Sequence, residues 1–154
     1  MPTAREAVVV SKFVVIGVWG AVFTTLVFAL GLVVGTAVVL PGWSQALMWQ
    51  SIRVDAIVAC LTLALMSPVA LFASIGRGYL PALGWTILTL AFAQIAAATG
   101  WGDWFPWAVP ALFSQAGSPR AAQLGPHSYI MVALVSVAGL VATLVWWRSA
   151  DQTR

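Results

Sequence analysis

The sequence predicts an all-α polytopic membrane protein with four transmembrane helices and short interfacial helices in the outer loop before the last helix. Of its 154 residues, 62% are hydrophobic and only 7% are charged, whereas a soluble domain carries about 25% charged residues. The few charges also separate apolar stretches long enough to cross the ~30 Å hydrocarbon core of a bilayer. Water cannot solvate such a surface, so we expect one transmembrane domain that covers residues 1–154.

Four apolar stretches are predicted to span the membrane. They cover about 13–40, 56–75, 80–99 and 128–147. Pro41 ends the first stretch, which is longer than the hydrocarbon core requires, so it must tilt or begin outside the core. Pro68 lies inside the second stretch and should kink it, because proline removes a helical hydrogen bond. Pro81 falls in the first turn of the third stretch, where the missing N–H costs little.

The distribution of basic residues predicts the orientation. With four spans, both termini lie on one side of the membrane. That side carries Arg5, Lys12, Arg77, Arg148 and Arg154, and the other carries Arg53 and Arg120. Because cytoplasmic loops are enriched in Lys and Arg, we expect a multi-pass protein of the cell (inner) membrane with cytoplasmic termini. The net charge of +3 rests on few charges, so we expect no nucleic-acid partner.

The loop before the last span, residues 101–113, is apolar, rich in tryptophan and broken by two prolines. Its notable side chains are Trp101, Asp103, Trp104, Pro106, Trp107 and Pro110. Each proline can begin a short helix but cannot lie comfortably inside one. One interpretation is one or two short helices that dip into the outer interface, a depth that the amphipathic tryptophan ring favours. The other is a plain aromatic belt without a specific role.

Two inner segments have recognisable local patterns. Thr3 and Glu6 have the spacing of a capping box, which predicts a short surface helix that runs into the first span. Gly76 and Gly78 flank Arg77 in a tight turn between the second and third spans. The simplest role for Arg77 is to anchor the topology.

Small and polar residues inside the spans indicate helix contacts. Gly31 with Gly35, and Ala138 with Ala142, have the four-residue spacing that permits close helix packing. Gln94 is an uncharged polar residue in mid-span, and it is expected to bond to a neighbouring helix.

The sequence predicts no catalytic, cofactor-binding or metal site. Its one cysteine, Cys60, cannot form an intramolecular disulfide, and His127 stands alone in a loop. No Asp, Glu, Lys or Arg lies at mid-membrane, where proton-coupled carriers and voltage sensors need one. The phosphate-binding pattern GxxxxGK[ST] is also absent, so ATP would have to be bound by another chain.

The segment Gly100–Pro110, GWGDWFPWAVP, resembles the signature that precedes the last span of type-2 ABC exporter permeases. The subgroup is the one associated with lantibiotic and bacitracin-type peptide export and immunity. Leu124–Tyr129 and Thr143–Arg148 look like the C-terminal end of that subgroup. The resemblance covers nearly the whole chain, but such permeases usually have six spans. The match is to the last four, as in either a truncated chain or a naturally split permease.

The resemblance implies a permease subunit that exports a peptide antibiotic, a drug or another amphipathic substrate. A second permease copy would pair with it, and separate cytoplasmic ABC ATPases would hydrolyse ATP, so the chain itself is not expected to be an enzyme. The implied ATPase contacts are Arg5, Glu6, Lys12, Gly76, Arg77 and Gly78. The implied outer gate comprises Trp101, Asp103, Trp104, Pro106, Trp107 and Pro110. The alternative is a standalone accessory or immunity protein that acts by helix association without an ATPase.

Overall fold

The computed structural model describes residues 5–38, 44–115 and 124–149, and its ordered elements are all helical. The α-helices are α1 (Arg5–Ala37), α2 (Gln45–Ala64), α3 (Met66–Ile75), α4 (Tyr79–Thr99), α5 (Val109–Ser114) and α6 (Pro126–Ser149). Two short 3₁₀ turns, Gly102–Trp104 and Pro106–Ala108, precede α5. Four segments are long and apolar enough to cross a membrane, namely α1, α2 with α3, α4 and α6. The predicted fold class is therefore confirmed, including the short helices before the last span.

The first helix continues the N-terminal segment without a break. α1 has 33 residues, which corresponds to about 50 Å at 1.5 Å per residue and exceeds the ~30 Å core. The predicted surface helix is thus the first part of α1 and not a separate element. The predicted N-cap Thr3 lies outside the described residues.

The second membrane helix begins earlier than the charges suggest. The Ser44 side chain caps α2 by accepting the backbone N–H of Leu47 at 3.3 Å, an arrangement that stabilises a helix start. Arg53 and Asp55, which delimit the predicted span, therefore lie within α2. Ten helical residues precede Asp55, so its carboxylate is about 15 Å along the helix.

A break at Leu65 separates α2 from α3, three residues before the proline predicted to cause it. Pro68 has no N–H to donate to the Ala64 carbonyl, so it is accommodated in the first turn of a new helix. The Ser67 hydroxyl compensates, because its oxygen lies 3.1 Å from the Ala64 carbonyl and 2.6 Å from the Ser136 carbonyl on α6. The kink thus fixes α3 against α6.

The closest helix crossing lies between α3 and α6 at Gly139. An added Cβ at Gly139 would lie 2.6 Å from the Pro68 nitrogen and 2.9 Å from its Cδ. Ala138, in the predicted small-residue pair, is instead exposed. A Cβ added at Gly31 would have nothing within 4 Å. Gly35, the other member of that predicted pair, is buried. The close crossing of α3 and α6 therefore uses Gly139, and the two predicted small-residue pairs remain predictions.

The start of α1, the turn between α3 and α4, and the end of α6 lie at one end of the bundle. We call this the inner end, after the predicted topology, and the opposite end the outer end. Most of the buried side chains lie towards the outer end in two adjoining clusters. One contains Leu65, Val109 and Val132, and the other contains Ala93, Ala108 and Leu112.

Candidate functional site

The segment 102–114, which we call the outer cap, folds into the outer end of the bundle. Ala108 and Val109 are fully buried, and Pro106 and Pro110 are also buried. Each proline stands in the first turn of a short helix, Pro106 in the second 3₁₀ turn and Pro110 in α5. Proline is well tolerated there because the first-turn N–H groups have no helical acceptor.

Two glycines turn the chain from α4 into the outer cap. Gly100 has a φ of +85°, and Trp101 donates its backbone N–H to the Ala96 carbonyl at 2.9 Å, which together end α4. At Gly102, a Cβ would lie 3.1 Å from Ala97 Cα. Gly100 is therefore needed for its positive φ, and the missing side chain at Gly102 lets the cap approach α4 closely.

The side chain of Trp107 packs the outer cap against the core of the bundle. Its side chain packs against both buried clusters, and its ring meets the Trp85 ring edge-on with 5.8 Å between centroids. Trp85 lies only six residues after the start of α4 and stacks on Phe72 of α3 at 4.1 Å. Trp101 and Trp104 are 69% and 55% exposed. The aromatic-belt interpretation thus fits Trp101 and Trp104, whereas Trp107 forms part of the core.

Asp103 and His127 come together where the cap meets the start of α6. His127 Nε2 lies 3.3 Å from Asp103 Oδ2, and the Trp104 ring lies beside the imidazole with 4.6 Å between centroids. The contact joins the cap to α6 through residues 24 positions apart. Arg120 lies outside the described residues, and no group of three metal-binding side chains occurs among the described ones.

At the inner end, Lys12, Ser74 and Trp147 form what we call the inner bridge. Trp147 Nε1 donates to Ser74 Oγ at 3.0 Å, and the Lys12 ammonium lies 4.8 Å from the centre of the Trp147 ring. Ser74 Oγ can accept this bond because its own proton goes to the Ala70 carbonyl. A cation within about 6 Å of an indole face is attracted to it, so one tryptophan links α1, α3 and α6.

The predicted coupling turn lies next to the inner bridge. Arg77 is exposed and has a φ of +49°, a conformation that costs an L-residue roughly 1–2 kcal/mol. A Cβ at Gly76 would collide with Pro81, so glycine is needed there for steric reasons. Gly78 is extended and exposed. The structure therefore brings Lys12 and the 76–78 turn to the same end, although the side chains of Arg5 and Glu6 are outside the described set.

Two further side chains from the sequence analysis are exposed. Gln94 lies on the surface of α4, and no described residue forms a hydrogen bond with its side chain. Its predicted bond to a neighbouring helix remains a prediction. Cys60 is exposed on α2.

Three cavities adjoin one another around Val58 of α2. A groove of about 600 Å³ lies between α1 and α2, and a second cavity of about 450 Å³ continues it towards the outer end. A third cavity, of about 300 Å³, lies beneath the outer cap, with Trp107 and Pro110 in its wall. Val58 borders all three, and Thr62 borders the first and third. Apolar space therefore extends from the face of α1 to the underside of the cap.

These features define a multi-pass membrane protein with an aromatic cap at one end and apolar cavities beside it. The chain is similar to the bacitracin transport permease protein BCRB of Bacillus licheniformis, with 27% identity over 152 residues. The match covers 98% of this chain and 72% of that relative, which confirms the predicted resemblance to a permease of this kind. No family model and no solved structure matches the chain.

The contacts that sequence reasoning missed are the inner bridge and the pair of Asp103 with His127. Trp147 lies in the segment Thr143–Arg148 that carries the family resemblance, and no local pattern marks Ser74. Asp103 is predicted only as a residue of the outer gate, and His127 stands alone in the sequence. Their pairing depends on how the cap folds back, which no local pattern encodes.

Proposed function

We propose that the chain is the membrane permease subunit of an ATP-driven exporter of the type-2 ABC class. Its substrate would be a peptide antibiotic, a drug or another amphipathic molecule moved out of the cell. The observation that carries the proposal is the similarity of 98% of the chain to a bacitracin transport permease. The apolar cavities beside the outer cap support it, because they offer space for an amphipathic molecule within the bundle.

ATP hydrolysis would take place on a separate cytoplasmic ATPase, and a second permease copy would complete the transporter. Arg5, Glu6 and Lys12 would belong to the main contact with the ATPase, and the turn Gly76–Gly78 to a smaller one. The inner bridge supports this assignment, because it ties the Lys12 region to the end of α3, immediately before that turn. A displacement of either contact would therefore act on the same group of helices.

A series of side-chain contacts, connected through the backbone of α3, joins the inner bridge to the outer cap. Ser74 and Phe72 lie two residues apart on α3, Phe72 stacks on Trp85, and Trp85 meets Trp107 of the cap. Packed side chains of this kind can carry coupling between distant sites, provided that the coupling is measured. In the proposed mechanism, closure of the ATPases rocks α3, and the movement reaches the outer gate through Trp85 and Trp107.

The proposal is tested by co-purification with an ATPase encoded in a neighbouring reading frame, followed by reconstitution into liposomes. We expect a stable complex in which Arg5→Glu and Arg77→Glu lower the stimulated ATPase rate without lowering membrane insertion, because both reverse a charge at the proposed contacts. Arg53→Glu is the matched control, because it makes the same charge reversal in α2, away from the inner end. Normal stimulation in both inner variants would contradict the contact assignment.

A standalone accessory role makes a different prediction, which can be tested in cells. None of the residues in the most apolar window of α1 is buried. The described surface of α1 is therefore available for association with another helix. If tolerance to a peptide antibiotic persists when the ATPase carries an inactivating substitution, the accessory role is favoured. If tolerance disappears, the exporter is favoured.

A further inference from the structure

The groove between α1 and α2 has a mostly apolar lining that is interrupted by two threonine hydroxyls and one carboxylate. Val15, Trp19 and Phe23 line it from α1, and Val58, Leu63 and Met66 line it from α2 and α3. Of the described residues that border it, Asp55 alone is charged. Asp55 also borders the second cavity beside Gln50 and Ser114.

The Asp55 carboxylate has no partner of its own within the described chain. No described residue forms an ion pair or a hydrogen bond with it. Arg53 is two positions away, about 200° around the helix, and is exposed. Lys12 is at the inner end, over the Trp147 ring. A half-buried carboxylate in apolar surroundings is costly without a compensating charge, so a cation that enters the groove would gain free energy.

We infer that the groove between α1 and α2 binds an amphipathic molecule with an apolar body and one basic group, and that Asp55 pairs with the basic group. This inference deepens the proposed export function by naming the chemical class of the substrate. The apolar lining matches the body, and the carboxylate matches the positive charge. Val58, Thr62 and Met66 also border the cavity beneath the outer cap, so the bound molecule lies beside a path to the proposed gate.

Other occupants fit the groove less well. A phosphatidylethanolamine headgroup carries an amine, but its phosphate would come close to the Asp55 carboxylate and repel it. An apolar helix from a second copy would cover the groove and leave the carboxylate without a counter-charge. Charge complementarity therefore favours a basic molecule that lacks a neighbouring anion.

The test compares two dansyl-labelled alkyl probes of equal length, one ending in a primary amine and the other in an alcohol. The full chain is placed in phosphatidylcholine nanodiscs, with empty nanodiscs as the blank, and binding is followed by dansyl fluorescence. We expect the amine to bind about tenfold more tightly than the alcohol, which corresponds to about 1.4 kcal/mol. Asp55→Asn should abolish this preference and leave the affinity for the alcohol unchanged, which also shows that the variant is folded.

Two further variants control for net charge and for the position of the site. Asp151→Asn removes the same charge at a position far along the sequence from Asp55 and should retain the tenfold preference for the amine. Val58→Trp fills the place where the three cavities adjoin and should weaken both probes together. An amine preference that survives in Asp55→Asn would overturn the inference. So would a preference that disappears from the wild type in phosphatidylethanolamine nanodiscs, because a lipid amine would then occupy the site.

The experiment also separates this inference from the proposed function, because probe binding requires no ATPase. If the amine preference follows Asp55 while no ATPase associates with the chain, the site stands and the exporter proposal fails. If the ATPase complex forms and the preference does not depend on Asp55, the exporter proposal stands and the site is refuted.

Discussion

Replacing glycine by alanine should destabilise the protein at Gly139, which contacts Pro68, and should stabilise it slightly at Gly31. An ideal Cβ on Gly139 lies 2.6 Å from the Pro68 nitrogen and 2.9 Å from the Ser67 carbonyl carbon. Ordinary contact between carbon atoms requires about 3.5–4.0 Å. Because the obstructing atoms are mainly backbone, Gly139→Ala must separate α3 from α6 by roughly 1 Å.

The expected change in the free energy of unfolding for Gly139→Ala combines three effects. Overpacking of this kind costs about 1–3 kcal/mol, and loss of the Ser67 hydrogen bond to the Ser136 carbonyl costs about 1 kcal/mol more. Alanine returns about 1 kcal/mol through its higher helix propensity. We therefore expect Gly139→Ala to lower the free energy of unfolding by about 1–3 kcal/mol. Gly31→Ala meets no atom within 4 Å and should raise it by at most about 1 kcal/mol.

The assay is reversible unfolding in mixed micelles with increasing SDS, followed by helical circular dichroism. Ser67→Ala provides a second check, because its cost should be smaller in the Gly139→Ala background than in the wild type. If Gly139→Ala and Gly31→Ala change stability equally, helix propensity alone governs both sites. The close crossing of α3 and α6 would then be refuted.

Further predictions concern the two ends of the bundle. Trp147→Phe keeps an aromatic ring for Lys12 but removes the N–H donor to Ser74, so we expect a loss of about 1 kcal/mol in the same unfolding assay. That loss should be absent in the Ser74→Ala background, and its persistence there would contradict the bond. Pro106→Ala and Pro110→Ala should alter export measured in liposomes while expression stays intact, because both prolines begin helical turns of the cap. Unchanged export would favour the interpretation that this segment is an aromatic belt without a specific role in transport.

The membrane class and the number of spans follow from the sequence because they depend on composition and on the spacing of charges. The boundaries follow less well, since a helix can continue past the charges that mark the bilayer edge. Asp55 illustrates this, because Ser44 caps the start of α2 and ten helical residues therefore precede Asp55. The kink is displaced for a similar reason: Pro68 is favoured in a first turn, so the break forms at Leu65.

The candidate site depends on tertiary contacts that local patterns do not encode. The prolines of the outer cap predict short helices. No pattern in the sequence indicates that Trp107 packs into the core while Trp104 stays exposed. The four-residue spacing of small side chains suits several faces of a helix. Only the packed structure distinguishes Gly139, which Pro68 approaches, from Ala138, which is exposed.

The attachment of α1 has a mechanical consequence. This helix is held at the inner bridge, at Gly20, which lies against Leu63, and again near its outer end, where Gly35 is buried. Between the two glycines, about 22 Å of helix has no buried residue. That stretch is supported at both ends, and its middle is restrained only by the side chains that border the groove. We expect those side chains to adopt different rotamers around molecules of different bulk, so that one carboxylate can serve them all.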